Sequence, residues 1–349
     1  MMKLNRTWLH EEFVDLSAYS DQEYIERLTA FGHKISGFER IRDENSGEWD
    51  TVVDFEIPEN RPDCRSVLGL ALESAAAFGM TMQHHEPVVL GNEDSSIYEQ
   101  LDAEVFAEDR CFRFTARMVE NVRLAPSPMW LQRRLTANGI RPVNNIVDIA
   151  NYVQLEYGQP LFVFDRRCIE SGLLVVREAM EGELLSTPDG ILRDLEPGML
   201  VIADGMRPIA LAGNPVGEDT QVREDTTALV FHAASFDESC VRHTDPMLTL
   251  PAVQRACELV EMLRAGEVAD GIIDILNYVP PIRELPLEAD QINLLLDTNI
   301  SVADMIRYLE RLELPVVDGM IQVPSRRPDL TRTADIAREI GRSRNCIRD

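Results

Sequence analysis

The chain has 349 residues, which is enough for two or three domains that each bury a hydrophobic core. Its 60 acidic and 34 basic residues give a net charge of -26, and a field of that sign opposes tight, nonspecific RNA binding. The six cysteines form no CxxC pair, and no apolar run is long enough for a membrane span or a signal peptide. Composition therefore predicts a cytoplasmic protein with reduced thiols, without structural zinc and without membrane contact.

Residues 1–80 are predicted to form a small α+β unit. Helical periodicity covers residues 20–31, and strand patterns follow at 34–40 and 51–57. Residues 65–78 are apolar and rich in alanine, which predicts a buried helix that closes the unit.

Residues 81–110 are polar and acidic, and this composition predicts a linker. The segment contains the adjacent histidines His84 and His85. Neighbouring side chains on an extended chain point in opposite directions, and no third ligand lies nearby in sequence. The pair therefore does not predict a metal site.

Residues 111–275 are predicted to form a mixed α/β core, and its most informative stretch is 129–165. Two amphipathic helices are predicted there, the second with an asparagine N-cap and an end at Gly158. We expect this arrangement to bring Asn151 and Phe162 near one another.

Residues 281–349 are predicted to form a last, mostly helical unit. Periodicity predicts helices at 289–296 and 302–312 and a closing helix at 333–341. Between them, an Asp-Gly pair flanked by alternating apolar residues predicts a β-hairpin over 316–323.

Four motifs occur along the chain in a defined order. They are IPENRPDCRSVLGLALE at 57–73, MWLQRRLTANGIRPVNNIVDIANYVQLEYGQPLFVFD at 129–165, IALAG at 209–213 and VPSRRPDL at 323–330. Together they resemble the bacterial phenylalanyl-tRNA synthetase β subunit, and the longest one resembles its hydrolytic editing module. The resemblance implies an α+β, multi-domain fold, with an editing-like domain over 111–275 between the N-terminal unit and a winged-helix-like unit over 281–349.

The resemblance also implies where an editing pocket lies and how it is altered. Ala150 and Asn151 occupy the place of a Thr-Asn pair, Phe162 that of a histidine, and His232 that of a glutamate. The family's segment after Val241 is shortened, so one pocket wall is missing or rebuilt. His232 and Asn151 are the catalytic candidates. The candidate ligand-binding residues are Ala150, Asn151, Phe162, Ala212, Gly213, Asn214, Phe231 and His232.

Two interpretations of His232 compete. An imidazole that faces a pocket titrates near neutrality and can act as a base, an acid or a ligand donor. Alternatively, His232 is a neutral side chain that fills space beside Phe231 and Phe162. We favour the second interpretation, because no carboxylate partner can be assigned from the sequence.

The resemblance further implies a magnesium site in the last unit, on Asp329, Asp335 and Glu339. Three carboxylates can hold Mg²⁺ when water completes the octahedron. Arg338 stands in place of a further family ligand and argues against occupancy. No other cofactor is predicted.

Several modules of the resembling subunit have no counterpart in this sequence, so we interpret the chain as a truncated paralogue. Residues 41–50 are too few for the RNA-binding β-barrel that the family inserts there, and the catalytic-like and anticodon-binding domains do not follow. We therefore expect no aminoacylation by this chain alone, and weak binding of aminoacyl-tRNA.

Three functions are compatible with these observations. The favoured one is binding of an amino-acid-like or aminoacyl ligand in a degenerate editing pocket. The alternatives are a freestanding hydrolase that edits mischarged aminoacyl-tRNA and a non-catalytic interaction subunit of a synthetase-like partner. Hydrolysis of mischarged tRNA separates the second function from the others, and a pull-down separates the third.

Overall fold

The computed structural model describes residues 2–42, 47, 49–187, 190–213, 217, 220–241 and 244–346. It divides into two compact units. The terminal unit comprises Met1–His85, Ala137–Gly139 and Pro280–Asp349, and the central unit comprises Glu86–Thr136 and Ile140–Val279. Among the described residues, no helix combines the length and the apolar character needed to cross a lipid bilayer.

The chain begins with a three-stranded antiparallel sheet and three helices. These elements are β1 (Met2–Asn5), α1 (Arg6–Glu12), α2 (Asp21–Ala30), β2 (Lys34–Arg42), β3 (Trp49–Glu56) and α3 (Val67–Ala77). The strand order is β1-β3-β2. Helix α2 starts at a capping box, in which the side chains of Ser20 and Glu23 each accept a hydrogen bond from the other residue's backbone N–H. The helices and strands predicted for this part of the chain are confirmed.

The central unit contains twelve strands and three α-helices among its described residues. They are β4 (Asn92–Ser96), β5 (Asp102–Val105), β6 (Cys111–Glu120), α4 (Met129–Ala137), α5 (Asn145–Tyr157), β7 (Leu161–Asp165), β8 (Leu173–Glu178), β9 (Leu184–Ser186), β10 (Leu192–Asp194), β11 (Leu200–Asp204), β12 (Arg207–Leu211), β13 (Leu229–Phe236), α6 (Pro246–Met262), β14 (Glu267–Asp270) and β15 (Ile273–Leu276).

The last part of the chain returns to the terminal unit. Its elements are β16 (Arg283–Pro286), α7 (Ala289–Leu296), α8 (Val302–Arg311), β17 (Val316–Val317), β18 (Met320–Val323) and α9 (Thr333–Cys346). The strands form a small sheet in the order β16-β18-β17. Asp318 and Gly319 turn the hairpin with positive φ angles of 52° and 79°. The predicted helices and hairpin are confirmed, while β16 was not predicted.

Two sheets face each other across the core of the central unit. The larger one runs β4-β14-β6-β13-β7, with β15 also paired to β6, and the smaller one runs β12-β11-β8-β5. Their facing side chains form one buried cluster that includes Phe114, Phe164, Val176, Ile202 and Val230. This layer between the sheets is called the inter-sheet core below.

The other face of the larger sheet is covered by α6. Alternate residues of β6 reach this helix: Thr115 Oγ1 lies 3.1 Å from Thr249 Oγ1, and Arg117 donates to Gln254 at 2.5 Å. The alternating residues on the other face of the strand, such as Ala116, belong to the inter-sheet core. Strand alternation therefore assigns every second residue of β6, and of its neighbours, to the inter-sheet core.

The predicted linker over residues 81–110 is wrong from Asn92 onward. Strand β4 pairs in parallel with β14, and β5 pairs in parallel with β8. Ile97, Leu101 and Val105 are buried in the inter-sheet core. The acidic residues of this segment line its exposed side, and their number concealed the apolar residues that fix it to the sheets.

Candidate functional site

His232 lies in the middle of β13, between β6 and β7. It pairs with Ala116 on one side and with Phe162 on the other. Every residue of β13 is buried, because the inter-sheet core covers one face of the strand and α6 covers the other. Position 232 points into the inter-sheet core, as do its cross-strand neighbours.

Three phenylalanine rings surround the imidazole of His232. The ring centroids of Phe164, Phe162 and Phe114 lie 4.4, 5.5 and 5.7 Å from it, with interplanar angles of 16°, 29° and 18°. Phe114 and Phe164 are fully buried, whereas Phe162 is half-buried. Phe162 is therefore the side of this aromatic cage that lies nearest to solvent.

The imidazole is isolated from hydrogen-bonding groups. Only 1% of His232 is exposed, and neither Nδ1 nor Nε2 has a hydrogen-bond partner within the described part of the chain. Burial lowers the pKa of His232 to about 3, so the ring is neutral at physiological pH. A neutral ring in an apolar setting cannot act as a general acid near neutrality. The structure thus shows a neutral imidazole that stacks among phenylalanine rings.

Phe231 lies on the opposite face of the strand from His232. Its cross-strand partner is Arg117, whose guanidinium binds Gln254 of α6. Phe231 is fully buried but is not part of the inter-sheet core. Placing it beside His232 in a ligand pocket was wrong, because consecutive strand residues point to opposite faces.

Helix α5 carries the other catalytic candidate. Asn144 caps the helix by accepting hydrogen bonds from two backbone N–H groups of the first turn, and Gly158 ends it with a φ of 71°. Ala150 is buried and Asn151 is half-buried. Helix α5 packs against α6 and β7, and no hydrogen bond joins Asn151 to His232, since both imidazole nitrogens lack partners among the described residues.

The turn at Ala212 and Gly213 is covered by the segment that follows β13. Gly213 has a φ of 72°, and a Cβ added there would overlap the side chain of Val241. The backbone N–H of Ala212 donates to Leu200 at 2.9 Å, so it is already engaged. Val241 thus packs onto the glycine. Asn214, the next predicted ligand-binding residue, lies outside the described residues.

Two family models match the chain. The B3/4 domain matches residues 110–265, and the tRNA synthetase B5 domain matches residues 285–345. The phenylalanine–tRNA ligase β subunit of Clostridium tetani is 40% identical over 315 residues, which cover 83% of this chain and 39% of that protein. The β subunit of Clostridium acetobutylicum is 35% identical over 345 residues, covering 93% of this chain and 43% of that protein.

The chain is a phenylalanine–tRNA ligase β-subunit-like protein. A solved N-terminal fragment of the phenylalanyl-tRNA synthetase β subunit from Pyrococcus horikoshii has the same fold, with a TM-score of 0.52 and 14% identity. The structural match covers 98% of this chain and 99% of the fragment. The chain spans about two fifths of the length of the curated relatives it matches, 39% and 43% for the two clostridial proteins.

Two of the three residues predicted to bind magnesium in this β-subunit-like protein are instead paired with arginine. Arg327 donates to both carboxylate oxygens of Asp329 at 2.9 Å each, and it lies 3.1 Å from Glu339. Asp335 accepts hydrogen bonds from the backbone N–H and the hydroxyl of Thr331, both at 3.1 Å. The three predicted ligands are thus engaged with protein groups.

A different trio of residues has the spacing of metal ligands. Within the described residues, only Asp63, Cys64 and Glu73 place their candidate ligand atoms within 4.8 Å of one another. Arg61 binds both carboxylates, at 2.8 Å for Asp63 and 2.6 Å for Glu73. The structure therefore does not gather Asp329, Asp335 and Glu339 at ligand spacing, and the trio that it does gather is held by a guanidinium group.

A cleft of about 230 Å³ lies elsewhere in the B3/4 domain of this β-subunit-like protein. Its lining residues are Asp165, Arg167, Cys168, Gln221, Arg223 and Asp225. Arg167 binds the carboxylates of Asp165 and Asp225 at 2.8 Å each, so the charges at the cleft largely neutralise one another. The cleft was not predicted from the sequence, because residues far apart in the chain form it without a recognisable motif.

Proposed function

We propose that the B3/4 domain of this chain binds a small, amino-acid-like ligand without hydrolysing aminoacyl esters. His232 is the main support for this proposal. Its polar ring is buried, and both ring nitrogens lack hydrogen-bond partners among the described residues. An unsatisfied buried polar group costs about 1–3 kcal/mol, so a ligand that supplies a hydrogen bond there gains free energy on binding.

The absence of hydrolysis follows from the chemistry of this ring. Ester hydrolysis needs a positioned water and a group that takes its proton near neutral pH. With a pKa near 3, His232 is a weak base, and apolar rings rather than a carboxylate surround it. Val241 covers the Gly213 turn, which further restricts the space in which an ester could be held. These features favour binding over the alternative of a freestanding editing hydrolase.

Phe162 gives the proposed ligand its route to His232. Its half-buried ring stacks on the imidazole with the two ring centroids 5.5 Å apart, and it is the most exposed of the three phenylalanines around His232. A rotation of this one side chain exposes the aromatic cage, whose faces suit the side chain of an aromatic amino acid. Asn151 on α5 is the candidate partner for the ligand's polar end.

The test combines deacylation with ligand binding. With phenylalanine tRNA that is mischarged with tyrosine, we expect deacylation at the uncatalysed rate in the presence of the wild-type protein. L-phenylalanine or L-tyrosine should raise the melting temperature of the protein. His232→Leu keeps the volume and removes both nitrogens, so it should abolish the thermal shift. Phe231→Leu, one residue away on the other face of β13, is the matched control and should retain it.

Two results would contradict this proposal. One is enzymatic deacylation that His232→Ala removes. The other is an equal thermal shift in the wild type and in His232→Leu.

We also propose a synthetase-like subunit as a partner, because the curated relatives are named as β subunits of a ligase. Copurification of the tagged chain with such a subunit, followed by a mass measurement, tests this proposal. Weak, salt-dependent contact with aminoacyl-tRNA is the corresponding proposal for nucleic acid, since the chain carries a net charge of -26.

A further inference from the structure

Two segments of the terminal unit repeat the same residues. Residues 57–73 and 323–339 have identical amino acids at six matched positions: Pro58 and Pro324, Arg61 and Arg327, Pro62 and Pro328, Asp63 and Asp329, Ala71 and Ala337, and Glu73 and Glu339. Each segment leaves a strand, β3 or β18, and enters a helix, α3 or α9, four residues after its aspartate.

The side chains of the two segments make the same contacts, atom by atom. Arg61 Nε and Nη2 donate to the two oxygens of Asp63 at 2.9 and 2.8 Å, and Arg327 Nε and Nη2 donate to Asp329 at 2.9 Å each. The same Nη2 atom then meets Oε1 of the helical glutamate, at 2.6 Å in the first segment and 3.1 Å in the second. Each Arg-Asp-Glu set is called an arm.

One further arginine joins the two arms. Arg342, on α9, donates from Nη2 to Oε1 of Glu73 at 2.9 Å and from Nε to Oε2 of Glu339 at 2.9 Å, and it makes one more hydrogen bond to each carboxylate. Its guanidinium also lies 4.1 Å from the ring centroid of Phe31. The residue that matches Arg342 in the first segment is Ala76, so one guanidinium serves both arms.

These charges are withdrawn from water. The side chains of Glu73, Glu339, Arg327 and Arg342 are 2%, 6%, 1% and 12% exposed. Burial alone would raise the pKa of Glu73, but Arg342 and Arg61 outweigh it and hold that pKa well below its usual range. Burial would likewise raise the pKa of Glu339, but Arg342 and Arg327 outweigh it and lower that pKa, so each glutamate depends on its arginines.

We propose that Arg342 is a clasp that couples the two arms, so that α3 and α9 open together and neither helix opens alone. Removing one partner from a buried ion pair leaves an uncompensated charge, which is far more costly than the loss of an exposed pair. Loss of Arg342 weakens the charge balance of both glutamates at once. The coupling thus passes through one side chain into two helices that are distant in sequence.

Native-state hydrogen exchange of the full chain tests the clasp. Arg342→Met should accelerate exchange in α3 and in α9 together, by about a hundredfold or more, while α6 of the central unit keeps its wild-type protection. Arg338→Met is the matched control, because Arg338 lies on the same helix with a side chain that is 67% exposed. It should leave both helices protected.

Two further variants separate the clasp from a local effect and from a failure to fold. Arg61→Met and Arg327→Met remove equivalent atoms from the two arms, so each should accelerate exchange in both helices by a similar factor. Arg342→Lys keeps a positive charge and should give a smaller, parallel acceleration. Acceleration confined to α9, or a change in one helix for each arm variant, would overturn the proposal.

Discussion

Around His232 the central unit buries a polar ring that has no hydrogen-bond partner among the described residues, whereas around Arg342 the terminal unit buries charges that all have partners. Burial acts on both places in the same direction, by disfavouring a charged group in a poorly solvated setting. At His232 nothing opposes it, so the imidazole is neutral. At Glu73 two guanidinium groups oppose it, so the carboxylate stays ionised. Partners, and not depth of burial, decide whether a buried group carries charge.

The largest expected effect comes from removing a partner from the buried ion pairs around Arg342. Glu73→Leu leaves Arg61 and Arg342 facing an apolar side chain, and we expect it to lower the free energy of unfolding of the terminal unit by about 3–5 kcal/mol. Urea denaturation followed by circular dichroism measures the loss. Glu310→Leu, at an exposed position of α8, is the control and should change stability little. Equal effects of the two variants would show that the buried charges contribute nothing special.

The next effect concerns Gly213 of the central unit, which Val241 covers. Gly213→Ala places a methyl group against Val241 at a φ of 72°, so it should cost about 2–4 kcal/mol from strain and overpacking. Adding Val241→Ala should recover the overpacking part and leave the backbone strain. Thermal denaturation of the two single variants and the double variant gives the coupling energy. A tolerated Gly213→Ala would mean that Val241 does not lie over the turn.

The pH dependence of the free energy of unfolding tests whether His232, which has no hydrogen-bond partner among the described residues, is held neutral. The pKa of His232 is lowered from its ordinary value of 6.5 to about 3, so its contribution to stability is fully present above pH 6.5 and is lost as the pH falls toward 3. Between pH 6.5 and pH 5 the wild type should lose about 2 kcal/mol through this group. His232→Leu should lack that part of the pH dependence. Identical slopes in both proteins would show that the imidazole is not held neutral.

The smallest expected effect comes from a charge pair in water. Arg307 on α8 pairs with Asp304, and the two side chains are 57% and 38% exposed. Arg307→Met should change the free energy of unfolding by about 0.5 kcal/mol or less, because solvent screens such pairs. A loss comparable to that of Glu73→Leu would remove the distinction between buried and exposed pairs.

Local patterns were sufficient to predict much of this fold. The helices at 289–296 and 302–312 follow from periodicity, and the Asp318-Gly319 hairpin follows from turn chemistry. Strands β4 and β5 were missed, because short strands paired in parallel with distant partners carry little local signal among acidic residues.

The sequence indicated which residues form the candidate site, but it did not indicate what surrounds them. The motifs indicated His232, Phe162 and the Ala212-Gly213 turn, yet the aromatic cage and the covering by Val241 depend on how β13 and the segment after it pack. Phe231 was misplaced although strand alternation alone could have excluded it. Arg342 could not be found from its own surroundings in sequence, since Glu73 precedes it by 269 residues. The signal that would have indicated it is the repeated Arg-Pro-Asp motif followed by a glutamate.

Sharing one guanidinium between two carboxylates also affects how copies of this protein can associate. An α9 helix that binds its own α3 satisfies Glu73 and Glu339 with the same Arg342, and the first segment has an alanine in the matching place. Exchange of α9 between two molecules therefore withdraws Arg342 from Glu73 in both of them at the same time, because Arg342 leaves with its helix and α3 has no arginine of its own at the matching position. The asymmetry of the two arms thus opposes domain swapping through this helix.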